Sequence, residues 1–394
     1  MDITIKPKLL SGKVTAIPSK SQAHRLLICA AFSNGHTSLY CPATNQDIEA
    51  TAKCLSEMGA NILRTDIGYE IDPVADVPES TEINCNESGS TLRFILPVAG
   101  ALGISTTIHM AGRLPQRPLS PMWEELERMG CTLTRPTATT IHISGKLRPG
   151  EYTIAGDVSS QFITGLLFAM ALIDGESKLN IVGKIESRPY IDMTLQALQA
   201  FGVNAHDFKL AGCRPFQTPG ILSVEGDWSN GAFFLAAKAL GSNVDVTGLS
   251  ATSAQGDRVC ADLLKELDNN ILIDASDIPD LVPILSVVAA SKQGATFRNI
   301  ARLRLKESDR VATVIEMLNA LGGKATADEN TLQVFPAKFT GCTINSSGDH
   351  RIAMSAAIAA TVAGGPVKII GANCASKSYP SFWDVYKGLG GDYE

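Results

Sequence analysis

The chain has 394 residues, 45% of them hydrophobic and 19% charged, with a net charge of −6. That length exceeds one typical core and points to two domains. The acidic balance argues against a general nucleic-acid or membrane-surface binder, and no apolar run reaches the roughly 20 residues of a membrane span. Nine cysteines show no Cys-x-x-Cys pair and no metal-ligand spacing with the six histidines. Free thiols in a reducing cytosol are the expectation. No basic segment followed by an apolar one opens the chain as an export signal would, so a cytoplasmic protein is expected.

Six apolar stretches of similar length begin near Ser21, Ser88, Ser159, Ser229, Pro279 and Gly348. Small or polar residues open each one, as helix starts require. Interleaved with them are amphipathic helices that close on Leu-x-x-x-Gly: Leu55–Gly59, Leu126–Gly130, Leu198–Gly202 and Leu318–Gly322, with Leu264–Asp268 and Tyr386–Gly390 as degenerate members. The chain therefore reads as six copies of one α/β unit. Helices apolar all round must be buried, whereas the second series can be half exposed. Three copies per globule give two comparable lobes, divided near Ser223–Asp227. The opening strand Ile3–Lys6 precedes the first copy and can pair with either lobe.

A helix N-terminus offers unpaired N–H groups and the positive end of the macrodipole, so residues added there indicate an anion site. In the first copy, Ser19-Lys20-Ser21-Gln22-Ala23-His24-Arg25 follows Pro18 and sets Ser21 and Arg25 on one face. The arrangement suits a phosphate or carboxylate, or equally a capped start with solvated charges. In the second, Ser88-Gly89-Ser90-Thr91-Leu92-Arg93 puts a glycine one turn before an arginine, permitting close approach of a ligand to the backbone. Downstream, Gly112-Arg113-Leu114-Pro115-Gln116-Arg117-Pro118 carries two arginines, which grip oxyanions with paired hydrogen bonds. The third offers Ser159-Ser160-Gln161 where a cap needs one polar residue, and Ser187-Arg188-Pro189-Tyr190 opens its second helix.

In the fifth copy Asp280 follows Pro279 at an otherwise uncharged stretch, Leu281–Ala290, as a cap or a functional acid. The densest charge cluster, Arg302 to Arg310, opens a helix expected from about Glu307 to Leu321. Lys306 and Arg310 are placed on one face, with Glu307 and Asp309 offset; a surface salt-bridge ladder is the alternative. The sixth copy gives Gly348-Asp349-His350-Arg351 and Ser376-Lys377-Ser378-Tyr379-Pro380. If the helix starts converge, Lys20, Arg25, Arg93, Arg113, Lys306, Arg310, Arg351 and Lys377 line one cleft for a highly anionic small substrate. Gly371 to Ser378 imitates a phosphate-binding P-loop, but Ser376 replaces its second glycine, and no G-x-G-x-x-G fingerprint is present.

Together these segments resemble the enolpyruvyl transferases, most closely the branch that acts on shikimate 3-phosphate. Lys20-Ser21…Arg25, Gly156-Asp157-Val158-Ser159-Ser160-Gln161, Ile278-Pro279-Asp280, Lys306-Glu307-Ser308-Asp309-Arg310 and Asp349-His350-Arg351 carry the likeness in order. The resemblance implies an α/β fold of two lobes, each of three βαβαββ units with buried helices (an inverse α/β barrel), closing over a cleft. The lobes are expected at residues 13–225 and at 1–12 plus 226–394, with the N-terminal strand crossing into the second. It implies transfer of the enolpyruvyl group of phosphoenolpyruvate to the 5-hydroxyl of shikimate 3-phosphate through a tetrahedral ketal phosphate, in a monomer without metal or organic cofactor. Phosphoenolpyruvate is expected near Lys20, Gly89, Arg93, Arg113, Gln161, Arg310, Arg351 and Lys377. Shikimate 3-phosphate is expected at Lys20, Ser21, Arg25, Ser159, Ser160, Gln161, Ser187, Tyr190, Asp280 and Lys306. Asp280 looks like the base and Glu307 the proton donor, with Lys20 and His350 sharing the acid–base work.

Glu87, where many relatives carry Asn or Ala, and Arg302, where many carry Asn, depart from the pattern. A UDP-N-acetylglucosamine enolpyruvyl transferase is the nearest rival, but it carries a Cys, or in a variant an Asp, in the loop matching Gly112–Pro118, and this loop has neither. An RNA 3′-phosphate cyclase is disfavoured by the acidic balance. A noncatalytic repeat scaffold has no need of Asp280 and Glu307 among cations.

Overall fold

The computed structural model describes residues 1–212 and 216–394. The chain separates into two compact units: Pro18–Val224, and Met1–Ile17 with Glu225–Glu394. Sequence had placed residues 13–17 in the first lobe. The strand Ser11–Thr15 instead pairs in parallel with Asn243–Thr247, which ties that segment to the C-terminal unit.

A common pattern recurs in each unit: a parallel strand pair joined across a buried helix, extended by antiparallel strands. In the N-terminal unit, Ser80–Asn84 runs parallel to Ser105–His109, with Thr140–Gly145 and Cys131–Thr137 added antiparallel. Glu151–Ala155 and Gly175–Val182 repeat the parallel pair, with Lys209–Gly212 antiparallel. Thr37–Tyr40 takes Ile221–Ser223 in parallel and Gly68–Asp72 antiparallel, with Asn61–Arg64 beyond. In the C-terminal unit, Ile271–Asp274 and Ala295–Arg298 are parallel and extended by Thr331–Phe335 and Lys324–Ala327. Cys342–Asn345 and Val367–Ile370 are parallel, and the opening strand Ile3–Lys6 joins antiparallel, between Val367–Ile370 and Asp392–Tyr393. Parallel pairs need a crossover; one buried helix provides it where the paired strands are neighbours in sequence, whereas Thr37–Tyr40 and Ile221–Ser223 stand at the two ends of the N-terminal unit.

The six apolar stretches are helices: Lys20–Ala31, Gly89–Leu102, Ser160–Leu172, Trp228–Ala239, Val282–Ser291 and His350–Ala360. Nearly every residue of Gly89–Leu102, Ser160–Leu172, Val282–Ser291 and His350–Ala360 is buried, as their lack of a polar face requires. Helices Gly89–Leu102 and Ser160–Leu172 approach so closely that a Cβ on Gly165 would stand 2.1 Å from the Arg93 carbonyl oxygen. Pro97 lies one turn beyond Arg93 and has no N–H to offer that carbonyl, so the glycine abuts the gap. The second helix series ends as its glycines predict. Gly59, Gly130, Gly202, Gly322 and Gly390 all have positive φ, which stops a helix at low steric cost.

Two expectations about helix starts need correction. The helix after Pro279 begins at Val282, and its N-cap, Leu281, makes no side-chain cap bond, so Asp280 is not the cap. The helix expected from Glu307 begins at Arg310, with Asp309 as N-cap. Asp309 accepts from the backbone N–H groups of Val311 and Ala312, while Lys306 is extended backbone ahead of the helix. Lys306 therefore shares no helical face with Arg310. No helix among the described residues is long and apolar enough to cross a membrane.

Candidate active site

In the N-terminal unit the first helix is capped by Ser19, whose hydroxyl accepts from Gln22 N–H. Lys20 extends from its first turn to Asp47, Nζ to Oδ2 2.9 Å. One turn on, Arg25 is almost fully buried. Its guanidinium donates to Thr194 Oγ1 at 2.9 Å, Thr164 Oγ1 at 3.4 Å and the backbone carbonyls of Ser21 and Tyr190 at 2.5 and 2.8 Å. All of those acceptors are neutral. Burial pulls its pKa down to about 10, so it remains a cation at physiological pH.

The second and third copies meet beside it. Gln161 Nε2 donates to Ser90 Oγ at 2.9 Å, a bond that the Gly165 contact makes possible. Ser159 caps the third copy's helix by accepting from Gln161 N–H, and Ser160 is buried. Ser187 is buried with φ 55°, an unusual backbone for a residue with a side chain, at the position just before helix Arg188–Ala200. A Cβ on Gly89 would lie 2.6 Å from Arg93 Nη1 and 2.7 Å from Arg117 Nη1, so both guanidiniums close on this glycine. Arg93 donates to the carbonyls of Gly89 and Pro118. Arg113 is exposed, immediately before the short turn Leu114–Gln116.

The C-terminal unit builds a different centre. Arg310 is buried to 1% side-chain exposure and donates to three carboxylates: Asp280 at 2.5 Å, Glu307 at 2.7 Å and Asp349 at 2.9 Å. This is no surface salt-bridge ladder. Asp280 and Glu307 keep 23% and 17% of their side-chain surface exposed, so each shows one edge to solvent while the arginine does not. Arg351 lies 3.5 Å from Asp280 Oδ2 and donates to the Ser229 carbonyl at 2.9 Å. Burial pushes the Asp280 carboxyl up, but Arg351, Arg310 and Lys306 outweigh it and hold the group well below the usual carboxylate range. Burial also draws Lys306 down to about 8 against the pull of Asp280. Asp349 caps helix His350–Ala360, placing His350 and Arg351 in its first turn. Lys377 ends the turn Ala372–Lys377, against which that helix packs. Among the described residues no group of three His, Cys, Asp or Glu side chains is arranged to hold a metal ion.

Several contributors escaped sequence reasoning. Asp47, the partner of Lys20, lies in an ordinary-looking second helix, and Arg117 was visible only as a second arginine in its loop. Asp349 appeared only as part of a motif, yet it is the deepest anchor of Arg310. The fourth copy, which offered no ligand, holds others in place. Ser229 carries the carbonyl for Arg351, and Asn230 Nδ2 donates to Ser378 Oγ beside Lys377. Of the two departures, Glu87 packs over Gly112, where a Cβ would come within 2.5 Å of its carboxyl carbon. Arg302 donates to the Ser276 carbonyl and helps lower the Lys306 pKa.

The family model of EPSP synthase (3-phosphoshikimate 1-carboxyvinyltransferase) matches residues 5–275 and 269–386. The chain is 36% identical to the 3-phosphoshikimate 1-carboxyvinyltransferase of Clostridium kluyveri, covering 100% of this chain and 98% of the relative. It is 37% identical to that of Clostridium beijerinckii with the same coverage. Its fold matches EPSP synthase from Acinetobacter baumannii with a TM-score of 0.82 at 23% identity, over 100% of this chain and 99% of the other. The enolpyruvyl transferase NikO from Streptomyces tendae matches with a TM-score of 0.78 at 16% identity, over 100% and 98%. With a matching family model over nearly its whole length and relatives above one-third identity, the chain belongs to the EPSP synthase family.

Proposed function

We propose that this protein transfers the enolpyruvyl group of phosphoenolpyruvate to the 5-hydroxyl of shikimate 3-phosphate and releases phosphate, as a cytoplasmic monomer. The observation that carries this reading is the pair of part-exposed carboxylates, Asp280 and Glu307, both bound to the buried Arg310. In this reading Asp280 takes the hydroxyl proton as the oxygen bonds to C2, while Glu307 gives a proton to the methylene carbon, forming the tetrahedral ketal phosphate. Reversal of the proton at carbon and departure of phosphate complete the transfer. Lys20 and His350 assist these proton movements.

A carboxylate held by two arginines and a lysine is a weak base. Substrate anions answer this difficulty. Once Arg310 and Arg351 turn toward a phosphate or carboxylate, their hold on Asp280 relaxes and its basicity rises toward the range a general base needs. Gly89, Arg93, Arg113, Gln161, Arg310, Arg351, Lys377 and Lys20 are assigned to phosphoenolpyruvate. Lys20, Ser21, Arg25, Ser159, Ser160, Gln161, Ser187, Tyr190, Asp280 and Lys306 are assigned to shikimate 3-phosphate. Arg117 joins the first set, because its guanidinium shares the Gly89 surface with that of Arg93. The cations neutralise charge that builds on the phosphate during addition.

The test is phosphate release from purified protein given both substrates. Release that requires both supports the reading. No release with this pair, but release with UDP-N-acetylglucosamine and phosphoenolpyruvate, overturns it.

A further inference from the structure

Asp257 is buried at 2% exposure in the C-terminal unit and is absent from every expected substrate contact. It lies in the short turn Gly256–Val259. One carboxylate oxygen, Oδ2, accepts the Ser229 hydroxyl, while Oδ1 has no hydrogen-bond partner among the described residues. Burying a carboxyl this poorly satisfied is costly. Asp280 and Asp227 add repulsion, and Arg351 offsets it only in part. A position that costs stability and lies beside a functional arginine calls for a compensating role.

The surroundings supply one. Segment 250–257 grips the first turn of helix Trp228–Ala239. Gln255 Oε1 accepts from Trp228 N–H at 2.9 Å and its Nε2 donates to the Gly226 carbonyl at 2.8 Å. The Trp228 indole donates to the Ser250 carbonyl at 2.9 Å. Asp257 completes this grip at Ser229, the residue whose carbonyl receives Arg351 Nη1 at 2.9 Å. Arg351 Nε has no hydrogen-bond partner among the described residues. The Ser229 carbonyl is therefore a fixed point that aims the guanidinium, leaving the rest of it beside Asp280.

We infer that Asp257 is a positioning residue that acts through Ser229 to aim Arg351 at the anion it binds. The inference rests on the proposed function for the identity of that anion, phosphoenolpyruvate, but not for the positioning itself.

Two readouts separate the claims. In protein labelled with 15N arginine, the Arg351 side-chain signal, assigned by its loss in Arg351→Lys, should stay sharp in the parent and in Asp257→Asn, which keeps an acceptor for Ser229. It should shift or broaden in Asp257→Ala and in Ser229→Ala. In kinetics, Asp257→Ala and Ser229→Ala should each raise KM for phosphoenolpyruvate roughly ten-fold, the value of one hydrogen bond to a charged group, with kcat and KM for shikimate 3-phosphate changed much less. The double variant should be no worse than either single, and Asp257→Asn should recover most of the loss. An unmoved Arg351 signal in Asp257→Ala overturns the inference. So does equal loss in Asp257→Asn, or an equal rise of both KM values, which marks a general structural defect. If the parent lacks the proposed activity while the signals behave as stated, the positioning stands and the functional reading falls.

Discussion

Two buried arginines, one in each unit, are held by different means. In the N-terminal unit, Arg25 is gripped by threonine hydroxyls and backbone carbonyls, so its full charge remains for a ligand. In the C-terminal unit, Arg310 is ringed by Asp280, Glu307 and Asp349, and Arg351 leans on Asp280. Neutral acceptors orient an arginine without neutralising it, which suits binding. Carboxylates neutralise it, but they gain tuned proton affinities in exchange, which suits acid–base chemistry. One acidic chain thus holds one buried arginine among neutral acceptors and another ringed by acids.

If the division is right, Glu307→Gln should show the largest effect, lowering kcat by roughly 10²- to 10⁴-fold as expected for loss of a general acid. KM for either substrate should move little. Loss of binding in calorimetric titration instead would move Glu307 out of the proton-transfer role. On the other side, Arg25→Gln should raise KM for shikimate 3-phosphate by roughly 10- to 100-fold, since charge-assisted bonds are lost. A kcat defect as large as that of Glu307→Gln would erase the distinction between the units.

Gly89→Ala should be milder. Its methyl group would displace the ends of Arg93 and Arg117, both flexible, and raise KM for phosphoenolpyruvate by several-fold, with steady-state kinetics as the measure. Two pH effects refine the picture. Lys306 is drawn down to about 8 by burial, so KM for shikimate 3-phosphate should climb as pH rises through 8. Lys306→Arg should remove that climb.

Asp257, whose carboxyl burial and Asp280 push up to about 7, titrates in the opposite sense to a salt-bridged acid. Facing it are Asp280, Asp227, Arg351, Ser229 and Cys260. Its folded-state pKa exceeds the unfolded value, so its contribution to stability is present below the ordinary carboxylate range and is lost as pH rises through about 7. Asp257→Asn should flatten that part of the stability curve in urea unfolding between pH 4 and 8. An unchanged slope would mean that Asp257 remains ionised when folded.

Much of the architecture could be read without coordinates because it is periodic. Six mostly apolar stretches must be buried helices, and glycines four residues after a leucine must end helices in the left-handed region. The bounds of the second series were less secure. Lys306 and Glu307 have good helical spacing to Arg310, yet Asp309 caps the helix after them, because an acceptor side chain at that position satisfies the first orphan N–H groups. Asp280 likewise looked like a cap and is not one, since the helix starts two residues later and leaves its carboxylate for Arg310.

The sequence by itself determined the six-fold repeat, the cationic character of the helix starts and the chemical types present, because these follow from local pattern and composition. Only the tertiary structure decided which charge meets which. Asp47 with Lys20, Asp349 with Arg310, Arg117 at Gly89 and Asp257 behind Ser229 join residues distant along the chain. Their energies depend on separations of a few ångströms and on burial, which no spacing within one helix encodes. The fourth copy shows this most plainly: its start carries no cation, yet its carbonyl fixes Arg351.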